Sequence, residues 1–248
     1  MDLGLSGKRA AVAASSAGLG LAVVEALAAE GCSVVISGRD PERLSRAAGG
    51  IPGAVPVVAD VSGAAGAEAF VTDARAALGG GIDILVVNAG GPPDGSYESF
   101  GPADYLEALH LNLMSVVAMC YAVTPEMRER RWGRILAITS VTARQPVLGL
   151  ILSNTARAGA TGFLKTLAGE MAADGVTVNS IQPGLHDTAR LRSVWDEELP
   201  AVTRKVPARR LGDPGDFGRV AALLCSEWAG YLTGAAVPVD GGLAQGLQ

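Results

Sequence analysis

Seven short apolar runs, separated by Ala-rich stretches of helical length, leave this chain few folds to choose from. The runs are RAAVAA (9–14), SVVISG (33–38), AVPVVAD (54–60), IDILVVN (82–88), GRILAITS (133–140), VTVNSIQP (176–183) and AAVPVD (235–240). Most are apolar throughout rather than alternating, which suits strands covered on both faces of a parallel sheet. Between them lie segments such as LGLAVVEALAAEG (19–31), long enough to serve as crossover helices. No Pro- or Ser-rich linker interrupts the rhythm. Residues 1–248 are therefore expected to form one α/β domain, a doubly wound seven-stranded parallel sheet with helices on both faces and right-handed crossovers. Rings are only 4% of residues while apolar residues are 49%, so the core should be built from Ala, Val, Leu and Ile.

A net charge of -5 and the lack of a sustained basic stretch argue against nucleic acid as a partner. The local cluster RERRW (128–132) reads as a solvated helix end. Cys32, Cys120 and Cys225 are widely spaced in apolar or small-residue surroundings, without a CxxC pair or His/Cys cluster. They are expected to be buried thiols in a reducing compartment, and no metal site is expected. MDLGLSGKRA holds no long apolar region and no run reaches roughly 18 apolar residues, so neither a signal peptide nor a membrane span is expected. A cytoplasmic protein is the expectation.

The first run leads into AASSAGLGLA (13–22). Gly18 and Gly20 open a helix there, where free backbone N–H groups and the helix dipole favour a pyrophosphate. Small residues let a dinucleotide approach the backbone, and Gly20 lets the helix pack on the strand, as in a Rossmann fold. Ala14 stands where such a turn usually has its first glycine, so the backbone there must keep a negative φ or accept strain. The second run ends SGRD (37–40). Gly38 occupies the place of a ribose-binding carboxylate, and Arg39 follows with a guanidinium that can pair with a 2′-phosphate. NADP(H) is thus expected over NAD(H).

With these residues in hand the chain resembles the short-chain dehydrogenase/reductase family over nearly its whole length, and within it the 3-oxoacyl-acyl-carrier-protein reductase-like group. AASSAGLG resembles the family's cofactor turn, which implies cofactor contacts at Ser15, Ser16, Gly18, Leu19 and Gly20. Asp60 and Val61 in VADVS resemble the adenine contact, and Asn88, Ala89 and Gly90 the loop after the fourth strand. QPGLHDT (182–188) resembles the loop over the nicotinamide, which implies roles for Pro183, Gly184 and Thr188. Asn112 in HLNLMS resembles the family's helix asparagine, which orders a water relay, and Ser140 in AITS its catalytic serine. YLTGAAVPVDGG resembles the closing strand. The resemblance also implies a homotetramer or homodimer joined through helices 103–127 and 153–173, and a lid at 185–210 that includes Trp195.

One stretch departs from the family. Its Tyr-x-x-x-Lys begins thirteen residues beyond the serine, and here that place reads SNTAR, with Ser153 and Arg157. The pair is one helical turn apart and so shares a face. Flanking residues stay in register, so the exchange is real. In the family the tyrosine protonates the developing alkoxide, its pKa lowered from about 10 by a neighbouring ammonium. Serine is a far weaker acid. Arg157 can still contact the nicotinamide ribose and add field at the reacting oxygen, but it does not readily give up a proton. Ser140, Ser153, Arg157 and Asn112 are the expected catalytic set.

Three readings follow. The first is an NADP-dependent reductase of a 3-oxoacyl thioester or similar carbonyl. The second is a conjugate-alkene reductase in which Ser140, Ser153 and Arg157 stabilise an enolate. The third is a catalytically silent NADP-binding protein. His186 is a candidate replacement acid, although a solvent-facing loop position is the plainer expectation. Tyr97 and Tyr105 either approach the pocket or, more simply, pack their loop against a helix. Gln145 either contacts substrate or serves a turn.

Overall fold

The computed structural model describes residues 2–246. Seven strands form one parallel sheet in the order β3-β2-β1-β4-β5-β6-β7. They are β1 (Arg9–Val12), β2 (Ser33–Gly38), β3 (Val55–Val58), β4 (Ile84–Val87), β5 (Gly133–Ile138), β6 (Val176–Pro183) and β7 (Ala236–Val239). Each falls within one of the seven apolar runs. The side-chain period of two sorts each central strand between two cores. Leu85, Val87, Ile135 and Ala137 join one cluster, while Ile84, Val86, Leu136 and Ile138 join the other.

Helices α1 (Gly18–Ala29), α2 (Pro41–Gly49) and α9 (Pro214–Cys225) cover one face. The other face carries α3 (Ala64–Ala77), α4 (Pro102–Leu109), α5 (Ser115–Arg130) and α6 (Ile151–Met171). The segment expected as one helix over 103–127 is α4 and α5 joined by a π-helical turn at His110–Met114, in which Asn112 is buried. Pro102–Arg130 is thereby long and apolar enough to cross a membrane (mean hydropathy 1.5), a feature absent from the sequence reading. It is nevertheless packed into the fold against α3 and α6. Residues 185–210 carry the short helices α7 (Ala189–Trp195) and α8 (Leu199–Thr203). The three cysteines are free, Cys120 and Cys225 buried and Cys32 half-buried. Burial pushes all three thiols up to about 12.

The chain leaves β1 on one side and returns beside it at β4, so the topological switch point lies between these strands. Their carboxyl ends carry the glycine turn and the Asn88–Gly91 loop. This crevice is where an open α/β sheet binds its ligand.

Of the two ways for Ala14 to fill a glycine's place, the turn takes strain: its φ is +45°. The conformation is held from both sides. Ser37 Oγ accepts from Ala14 N at 2.9 Å, and Asn88 Nδ2 donates to Ala14 O at 3.0 Å. A left-handed L-residue costs roughly 1–2 kcal/mol, partly offset in an Ala→Gly exchange by the greater freedom of the unfolded glycine chain. Ala14→Gly should therefore raise stability by about 0.5–1 kcal/mol, read as a higher urea midpoint at unchanged slope. A lower midpoint would show that the turn is not strained.

Candidate active site

Two connected hollows occupy the crevice. One, of about 730 Å³, is lined by Ser16, Gly38, Arg39, Arg43, Asp60 and Val61 among others. The second, of about 420 Å³, is lined by the α1 N-terminus, Ser140, Ser153, Arg157 and the lid segment. Ala17, Ala89, Gly90, Gly91, Pro92 and Arg190 belong to both walls, so the hollows form one elongated site.

The α1 N-terminus has the features an anion needs. Ala17 offers no side-chain cap and the first turn holds no acidic residue, whereas α2 and α9 are capped by Asp40 and Asp213. The leading N–H groups of α1 thus remain available to a diphosphate. Gly18 has φ +59° and lies against Thr188 of the lid root, while a methyl group on Gly20 would come within 2.9 Å of Ala14 O. Glycine itself is required at both positions. At the adenosine end, a side chain on Gly38 would run into Ser16 Oγ at 2.8 Å, so no carboxylate fits there. Arg39 and Arg43 both line that wall. Arg43 was not foreseen; its place in the first turn of α2, four residues after Arg39, is the signal that could have found it.

Asn88, Ala89, Gly90, Pro183, Gly184, Leu19 and Thr188 line the substrate-side hollow. Ser15 does not line either hollow, which corrects its sequence reading as a cofactor contact. It is fully buried, donating to Val12 O at 2.7 Å and accepting from Ser37 N at 3.0 Å, so its hydroxyl ties β1 to β2. Asn112 is likewise buried behind the wall. Its Nδ2 donates to Gly90 O at 2.8 Å and so holds the loop after β4, while its Oδ1 has no partner among the described residues.

Ser140 and Ser153 face the same hollow, and each has an acceptor site already occupied. Ser140 Oγ accepts from Thr142 N at 3.1 Å, and Ser153 Oγ accepts from Arg157 Nε at 3.2 Å. Neither hydroxyl donates to an acceptor among the described residues, so both hydrogens are left to be donated. Arg157 Nη1 donates to Ile138 O at 3.2 Å and to Thr139 O at 2.9 Å, anchoring the guanidinium at the end of β5. Burial, and then the neighbouring charge of Arg190, lowers its pKa to about 10.

No tyrosine lines the substrate-side hollow among the described residues. Tyr97 is 77% exposed, so the expectation that it packs its loop is wrong; Tyr105 is half-buried outside both walls. Gln145 is spent on the C-terminal segment, its Oε1 accepting from Gln245 N at 2.7 Å. His186, expected to face solvent, is instead buried, its ring edge-on to Phe217 at 5.0 Å. Nδ1 lies 3.4 Å from Gly184 O, and the Cδ2–Nε2 edge abuts Gly212, where a methyl group would meet Cδ2 at 2.5 Å. Burial lowers its pKa, with Gly184 O, Asp213 and Asp240 opposing. The imidazole packs at the lid base and also lines the substrate-side hollow.

An open helix N-terminus, a switch-point crevice and two donor hydroxyls at its far end have the layout of a dinucleotide-binding site. Residues 13–244 match the family described as Enoyl-(Acyl carrier protein) reductase. The chain belongs to the short-chain dehydrogenase/reductase family. It is 36% identical to Nodulation protein G of Azospirillum brasilense, covering 96% of this chain and 99% of that one. It is 34% identical to the 3-oxoacyl-(acyl-carrier-protein) reductase FabG of Escherichia coli, over 97% and 99%. L-sorbose reductase of Gluconobacter frateurii, solved with NADPH and L-sorbose, is 34% identical and superposes with a TM-score of 0.93 over the whole of both chains.

Proposed function

We propose that this protein is an NADPH-dependent reductase that acts on a conjugated carbonyl compound, an enone or enoyl thioester, at its alkene. The observation that carries this reading is the pair of donor hydroxyls, Ser140 and Ser153, in a hollow that no phenol among the described residues lines. When bound, NADPH supplies the hydride. Arg39, Arg43 and Ser16 would hold its 2′-phosphate, the α1 N-terminus its diphosphate, and Asp60 with Val61 its adenine side. The NADPH in the L-sorbose reductase structure supports the same choice of cofactor.

Ser140 and Ser153 would donate to the substrate carbonyl oxygen, with the Arg157 charge behind them. Hydride addition at the β-carbon moves the alkene electron pair towards that oxygen, giving an enolate that these donors stabilise. The proton then reaches the α-carbon from water, so no side chain has to act as an acid. A simple ketone gives a more basic alkoxide that demands its proton at once, and neither serine is suited to supply it. Reduction of a 3-oxoacyl thioester is the second reading, supported by the likeness to the Escherichia coli reductase.

A paired assay separates these readings. NADPH oxidation is followed with crotonyl and acetoacetyl thioesters of N-acetylcysteamine, and with 2-cyclohexenone against cyclohexanone. Conjugated substrates are expected to turn over at least ~100-fold faster, the low end of what a missing general acid costs a ketone. Faster reduction of the oxo partners would overturn the proposal. Silence with all four, together with tight NADPH binding, would point to a non-catalytic binder.

We also retain a homotetramer or homodimer as part of this proposal. Leu106, Met114 and Tyr121 stand exposed along the 102–130 helix, an apolar row suited to a second copy. Three free thiols suit a reducing, cytoplasmic setting.

A further inference from the structure

A second guanidinium shares the reacting end of the site. Arg190, near the start of α7, lines both hollows and lies over Gly91, where an added methyl group would come within 2.7 Å of its Nη2. Its lid neighbour Arg192 pairs with Asp187 at 2.7 Å on the exposed side. Arg190 has no carboxylate partner among the described residues, and neither does Arg157. Asp94 lines the same hollow but is exposed and makes no ion pair with either. The two cations are near enough for the Arg190 charge to hold Arg157 below its ordinary range, after the larger effect of burial. Like charges confined in a partly desolvated hollow call for an anion between them.

We propose that the substrate is a small carboxylic acid whose carboxylate sits on Arg190, with its reacting carbonyl turned to Ser140 and Ser153 beside Arg157. This names the substrate class for the reductase reading given above and rests on it. A guanidinium offers a planar carboxylate two parallel N–H donors, which an ester or a neutral ketone cannot use fully. Leu191, Val194 and Trp195 of the same short helix line the hollow and supply an apolar wall for the remainder of a small molecule. Glycine at 91 is what leaves room for the guanidinium to lie inward.

Binding tests this without turnover, so its outcome is independent of whether the alkene is the group reduced. Calorimetry on the protein saturated with NADP⁺ compares levulinate and 4-oxopent-2-enoate with their methyl esters. The native protein is expected to bind each acid at least 10-fold more tightly than its ester. Arg190→Met should bring that ratio to within 2-fold of unity, and Arg190→Lys should keep part of it. Gly91→Ala, which leaves the arginine in place but pushes it outward, should lower the ratio by a smaller factor. NADPH affinity should stay within 2-fold throughout. Absence of an acid preference in the native protein, or a preference unchanged by Arg190→Met, overturns the proposal. So does a 10-fold loss of NADPH affinity in Arg190→Met, because Arg190 would then serve the cofactor diphosphate.

Discussion

Exchanging Ser153→Tyr together with Arg157→Lys is expected to raise the reduction of a simple ketone by about 10²–10⁴-fold, the range that a well-placed general acid contributes. That corresponds to roughly 3–5 kcal/mol of barrier. Ser153 lines the substrate-side hollow from the first turn of α6, and residue 157 lies one turn further along the same face. A phenol at 153 would therefore reach the oxygen that the serine now only polarises, with an ammonium beside it to lower its pKa. Each single exchange should give less. A tyrosine beside Arg157 keeps a cation but not the flexible ammonium, and a lysine beside Ser153 has no useful acid to tune. The alkene substrates should gain much less, since their proton comes from water. Unchanged ketone reduction, in a double variant that still folds and binds NADPH, would remove the basis for calling the native site short of an acid.

Replacing Arg157→Met is expected to cost 10²–10³-fold in kcat, comparable with removal of one donor from an oxyanion site, while leaving stability within about 1 kcal/mol. The second half of this expectation follows from two opposed effects. The folded pKa of about 10 lies below the ordinary guanidinium range, so the folded chain holds this proton less readily than the unfolded chain. The charge therefore weakens the fold at neutral pH, and its cost is relieved only as pH rises above about 10. The sum is on the order of 3 kcal/mol before discounting for contact with the solvent-filled hollow. Against this, the exchange leaves Ile138 O and Thr139 O without their donor, at about 1–3 kcal/mol each when buried. The two nearly cancel. A large loss of thermal midpoint, with activity falling only in proportion to folded protein, would make Arg157 a structural residue instead.

The seven strands were legible because each is an apolar run of the right length, and the βα alternation then leaves a doubly wound sheet as the natural arrangement. Ser153 and Arg157 were legible because a family spacing marked their positions. Other parts of the site depend on contacts that no local pattern encodes. His186 is buried by Phe217, which lies thirty-one residues further along the chain. Ser15 looks like any small residue of a phosphate turn until Ser37 N is found on its hydroxyl. Arg190 and Arg192 are two apart on one short helix and chemically alike. Only the path of the lid turns the first inward and leaves the second to pair with Asp187. Ala14 is the intermediate case: its unusual place was visible, but which of two conformations it takes was decided by the clamp from Ser37 and Asn88.

The quiet chemistry of the three cysteines has a practical use. With Cys32, Cys120 and Cys225 all held as thiols up to about 12, alkylating probes at neutral pH should pass them by. A cysteine introduced at the exposed Ser193 of α7, which lines neither hollow, would then be the preferred attachment point for a dye or spin label. Movements of the segment above the cofactor crevice become measurable on the otherwise native chain, without first stripping it of sulfur.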